Sequence, residues 1–91
     1  MADDSTSLEL PPRADLAAAE ALRDAVLSAD PDRPVELDAG HVMQMSAPAA
    51  FVILSAARRA GGFVLLRPTE CVTQAFSTLG LFAQMMKMEM R

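Results

Sequence analysis

The sequence predicts a small single-domain α/β fold, with a mixed or mostly parallel sheet and helices packed mainly on one face. Three observations carry this prediction. Short apolar segments alternate with helix-like segments in the order strand, helix, strand, helix, strand, helix. The segment from Phe63 to Arg67 is almost continuously apolar, as a strand buried on both faces requires. The length, 91 residues, accommodates one domain and not two.

Residues 1–4 are polar and are expected to be disordered. Ser5 to Leu10 alternates loosely, with Leu8 and Leu10 on one side, and reads as a first strand that Pro11-Pro12 stops. Asp15 is placed to cap a helix whose inner stripe is Leu16, Ala19, Leu22, Val26 and Ala29. Asp30-Pro31-Asp32 ends it. Val35 to Ala39 is the second strand, and Gly40 breaks it. Ser46 is a natural N-cap for a helix from about Ala47 to Ala60, and Pro48 is tolerated in its first turn. Gly61-Gly62 supplies its stop. After the third strand and Pro68, Thr69 is expected to cap a third helix, with Val72, Ala75, Phe76 and Leu79 inward and Gly80 at its end. In the tail, residues 83–91, Met86, Met88 and Met90 alternate with charged residues at a strand period. Methionine and lysine nevertheless favour helix, so both conformations stay open. The main domain is thus expected over residues 5–82.

Hydrophobic residues make up 52% of the chain, with no Trp or Tyr, so the core must be aliphatic. A net charge of -4 argues against nucleic acid, whose phosphates call for a basic face. The acidic opening Met-Ala-Asp-Asp is unlike a signal peptide. The weakly polar run Ala47 to Ala57 is too short to span a bilayer, so no membrane insertion is expected. The single cysteine, Cys71, has no partner for an intramolecular disulfide, which fits a cytoplasmic setting.

The opening Leu-Glu-Leu, the Ala-rich helix, the Val-Glu-Leu-Asp-Ala strand and the small-residue helix from Ser46 to Ala60 occur in that order. With Phe-Val-Leu-Leu-Arg-Pro and the closing Leu-Gly-Leu at Leu79 to Leu81, this arrangement resembles the STAS (anti-sigma-factor antagonist) family over roughly residues 7 to 82. The resemblance implies a non-enzymatic regulatory module of bacterial signalling, acting in sigma-factor partner switching or in chemotaxis and two-component systems. The implied partner is an anti-sigma-type kinase or another signalling protein, met by the second helix and the loop before it. An alternative is an accessory subunit that clamps the ATPase of an ABC-type lipid transporter. A third reading is a homodimer held by the Met-rich tail. Family members carry an Asp-Ser or Asp-Thr pair at the start of the second helix, and a partner kinase phosphorylates its hydroxyl. Aligned without gaps, the Asp position falls on Ser46 and the acceptor position on Ala47, so the usual acceptor is absent here.

Ser46 is therefore either a displaced phosphorylation site or an ordinary N-cap. His41 and Gln44, in the preceding loop, are candidates for a partner surface or plain loop residues. On the second helix, Ala50, Ile53, Leu54 and Ala57 can face the sheet, which turns Phe51, Val52 and Ser55 elsewhere, with Arg58 and Arg59 beyond. Exposed aromatic and aliphatic side chains beside arginine suit a protein-binding patch; burial under neighbouring elements is the rival reading. Cys71 reads as a small buried helix residue. Asp38 is the one well-placed acid and is expected to hydrogen-bond the loop that follows it. No catalytic residue, metal ligand or cofactor is expected, since no Gly-rich phosphate loop, Cys/His cluster or nucleophile with an adjacent base occurs.

Overall fold

The computed structural model describes residues 6–91. The expected disorder of residues 1–4, and Ser5 as the first strand residue, lie outside them. The chain runs β1 (Thr6–Glu9), β2 (Arg13–Ala14), α1 (Leu16–Ser28), β3 (Val35–Asp38), β4 (Gln44–Met45), α2 (Ala47–Ala56), β5 (Phe63–Leu66), α3 (Glu70–Thr78), α4 (Phe82–Met86) and β6 (Glu89–Met90). Four strands form one sheet in the order β1-β3-β5-β6, and every pairing is parallel.

The register sorts the side chains into two faces. Leu8, Leu37, Leu65 and Met90 stand in one row, and Thr6, Val35 and Phe63 in the next. Val35, Leu37, Phe63 and Leu65 are buried under the helices, which also contribute Leu22, Ile53, Val72, Phe76 and Met85 to the core. The opposite face carries Glu9, Glu36, Asp38, Val64, Leu66 and Glu89. Glu36 and Asp38 are only partly buried, so helices cover one face of the sheet. Arginine chains cross the other: Arg91 meets Glu36 at 3.8 Å and Glu89 at 2.8 Å, and Arg67 pairs with Asp38.

Two further parallel strands, β2 and β4, form a ladder only two residues long. The amides of Met43 and Gln44 both donate to Pro12 O (2.7 and 3.0 Å), and Ser46 N donates to Ala14 O (2.8 Å). This ladder sets the N-terminal ends of α1 and α2 side by side.

Several expectations are corrected. α2 ends at Ala56, four residues early; turns follow to Gly62, whose φ of 101° is the left-handed stop. Thr69 makes no capping bond and donates instead from Oγ1 to Val42 O at 2.8 Å, anchoring the β3–β4 loop. Cys71 is exposed, not buried, and its thiol donates to Met43 O at 3.0 Å. Leu16 is exposed: at 100° per residue it stands about 120° around α1 from Leu22, at the margin of the stripe. The tail realises both of its readings, a helix to Met86 and then a strand that extends the sheet through Arg67 N→Arg91 O (2.7 Å) and Arg91 N→Leu65 O (3.0 Å).

Candidate functional site: the outer face of the second helix

α2 is almost wholly apolar, so periodicity alone cannot orient it. Packing does. Ala49, Ala50, Ile53 and Ala56 are buried, which turns Phe51, Ser55 and Arg58 outward as an i, i+4, i+7 ridge. Phe51 is 53% exposed. Val52 is half-buried on the flank toward α1, while Leu54 and Ala57 lean toward the tail, where with Phe63 and Met88 they line a shallow cleft.

Ser46 caps the N-terminus of the helix. Its hydroxyl accepts from Ala49 N at 3.4 Å, a long capping bond, and the side chain is half-buried. His41 and Gln44 are both exposed in the loop before it. Gln44 helps line a separate cleft with Met43, Cys71 and Gln74. The eight residues singled out from the sequence thus form two neighbouring groups: His41, Gln44 and Ser46 at the rim, and Phe51, Val52, Ser55, Arg58 and Arg59 along the helix.

Arg59 differs from its neighbour. Its guanidinium donates to Arg33 O (2.5 Å), Gly62 O (2.9 Å) and Asp30 O (2.8 Å), tying the α1–β3 loop to the α2–β5 turn. Arg58 is exposed and has no ion-pair partner among the described residues.

Asp38 hydrogen-bonds the loop after it, as its place at the end of β3 leads one to expect. Oδ1 accepts from Gly40 N at 2.8 Å, and Oδ2 pairs with the Arg67 guanidinium. These two contacts hold the Asp38 carboxyl below the usual carboxylate range, and the same pairing raises Arg67. Arg67 occupies left-handed backbone at φ 50°, rare for a side-chain-bearing residue, and a Cβ on Gly40 would meet its guanidinium at 3.0 Å. The arginine thus lies flat over Gly40 and fixes the start of the loop that leads to Ser46. The bonds of Arg67 to Asp38 and of Thr69 and Cys71 to this loop carry no sequence signature, because each joins residues 27 to 29 positions apart.

Among the described residues, no group of three or more His, Cys, Asp or Glu is placed to hold a metal ion, and no helix is long and apolar enough to cross a membrane. No protein-family model, curated protein or solved structure matches this chain.

Proposed function

We propose that this chain is a non-enzymatic regulatory adaptor of the STAS, anti-sigma-factor-antagonist type, working in the bacterial cytoplasm and binding a protein partner by the ridge of α2 and the loop before it. The partner is an anti-sigma-type kinase or a comparable signalling protein. One observation carries the reading: a phenylalanine more than half exposed stands in line with an exposed arginine that has no ion pair among the described residues. Aromatic residues and arginine supply most interface hot spots. The rigid β2–β4 ladder and the Arg67–Asp38 pair hold the loop that presents Ser46 beside this ridge.

The test is an affinity measurement with the cellular partner, identified by cross-linking to the full chain. Phe51→Ala and Arg58→Ala are each expected to weaken association by about tenfold or more. Unchanged affinity in both removes this surface. Recovery of a transport ATPase as the partner moves the reading to an accessory transporter subunit. Phosphopeptide mass spectrometry on protein from its native cell then shows whether Ser46 carries the regulatory modification.

A further inference from the structure

An apolar groove of about 360 Å³ runs between the C-terminal halves of α1 and α2, and no described element fills it. Val26, Leu27 and Ala29 form one wall and Val52 and Ala56 the other. Leu27 is 76% exposed, the most exposed of the large hydrophobic side chains among the described residues. Leu16, also exposed, lies on the same flank of α1 eleven residues earlier, about 16 Å along the axis. Glu20 and Arg23 stand between the two leucines on that flank, so the apolar surface at Leu27 is that of the groove itself.

The charge of the groove opposes that of the chain. The net charge is -4, yet the charged residues lining the groove are two arginines, Arg23 and Arg59. Arg23 shares its charge with Asp24 at 3.3 Å on the open surface. Arg59 donates to three backbone carbonyls and forms no ion pair among the described residues. Arg58 lies outside the groove and lines the cleft toward the tail.

The geometry points to this groove as the seat of an acidic amphipathic helix from a partner protein. This deepens the adaptor reading and rests on it for the choice of α2 as the contact surface. The apolar stripe of that helix lies on Val26, Leu27 and Val52, and its carboxylates meet Arg23 and Arg59. An extended segment does not suit the groove. Its walls are helix side chains and offer no free strand edge, so the segment's own N–H and C=O groups go unpaired, whereas a helix satisfies its own.

The test uses the full chain and two fluorescein-labelled peptides of about four turns. Both have leucine at i, i+4 and i+7; one is flanked by Glu and the other by Lys. Anisotropy titrations are expected to show the Glu peptide binding about tenfold or more tightly than its Lys twin, and losing affinity at high salt. Leu27→Asp, at a site too exposed to endanger the fold, and Arg23→Glu are each expected to weaken the Glu peptide about tenfold. Amide shifts in the labelled protein are expected at Val26, Leu27, Val52 and Ser55. Equal binding of the two peptides, binding of neither, or indifference to Leu27→Asp overturns the proposal. Self-association of the chain that Leu27→Asp abolishes also overturns it, making the occupant a second copy. Shifts confined to Phe51 and Arg58 overturn the groove while leaving the ridge as the partner surface. If the peptide behaves as expected but Phe51→Ala leaves the cellular partner's affinity unchanged, the ridge fails and the groove stands.

Discussion

Ile53 and Phe51 lie two residues apart on α2 and test its orientation directly. Ile53 is fully buried, at 0% exposure, among the sheet and helices, whereas Phe51 is 53% exposed. Truncating Ile53 to Ala removes buried methyl groups and leaves a cavity that a rigid sheet cannot close, a cost of about 3–4 kcal/mol. For a domain under 100 residues that is a fall in Tm of about 15–25 °C. Truncating Phe51 to Ala gives up only the half of the ring already out of water, about 1 kcal/mol. The larger side chain is therefore expected to matter less to stability, by about 2 kcal/mol or more, and to matter more to binding. Urea unfolding followed by far-UV circular dichroism measures both, provided the m-values agree. If Ile53→Ala fails to fold while Phe51→Ala folds, the two sites are distinguished all the same. A Phe51→Ala protein destabilised as much as the Ile53 variant refutes the orientation of α2, and the docking ridge goes with it.

Gly61→Ala places a Cβ 2.5 Å from Pro31 O and 2.7 Å from Arg33 O, both backbone atoms, and is expected to cost about 2 kcal/mol or more; calorimetry checks it. Gly80→Ala, with open space around it but φ of 73°, is the control and costs about 1 kcal/mol. Because the Asp38 carboxyl is held below its ordinary value, its contribution is complete above the unfolded value of about 3.9 and is lost as pH falls through the lower folded value. Urea midpoints of the natural chain and Asp38→Asn are accordingly expected to differ at neutral pH and to converge below about pH 4; a gap independent of pH refutes the pairing. Deleting residues 83–91 removes the buried Met85 and the edge strand β6, and is expected to lower stability by at least the roughly 2–5 kcal/mol of a buried Met→Ala change, as thermal melts with size-exclusion would show.

What was legible in the sequence had a period. α1 shows its stripe because Ala19, Leu22 and Val26 recur against charged neighbours, and α3 does the same with Val72 and Phe76. β5 is legible because a run as apolar as Phe63 to Leu66 has few other places to go. The two-residue ladder of β2 and β4 was not, because two residues cannot display alternation, and it is a backbone arrangement in which Pro12 O takes two amides. Leu27 escaped notice for the opposite reason. It falls off the inner stripe of α1, where the sequence says only that it is not core; that it flanks a groove depends on α2 packing alongside. Thr69 stands at the N-cap as expected, but the partner of its hydroxyl, Val42 O, and the exposure of Cys71 beside Met43 O were not legible, because both carbonyls belong to a distant loop.

The sheet has two faces, and their chemistry decides where a partner can dock. The face without helices is acidic on β1 and β3, with Glu9, Glu36 and Asp38, but Arg67 and Arg91 already lie across it and engage Asp38, Glu36 and Glu89. A partner docking there must displace ion pairs and desolvate both members, a cost that new contacts have to offset before any affinity appears. The outer side of the helical layer presents the reverse balance. Phe51 and Leu27 stand in water with no described neighbour to cover them, and Arg58 has no carboxylate to release among the described residues. Covering them removes apolar area from water at about 25 cal/mol per Å² and breaks no existing pair. The helical face is thus where association costs least, and the same asymmetry explains why β3 can tolerate Glu36 and Asp38 at the centre of an all-parallel sheet.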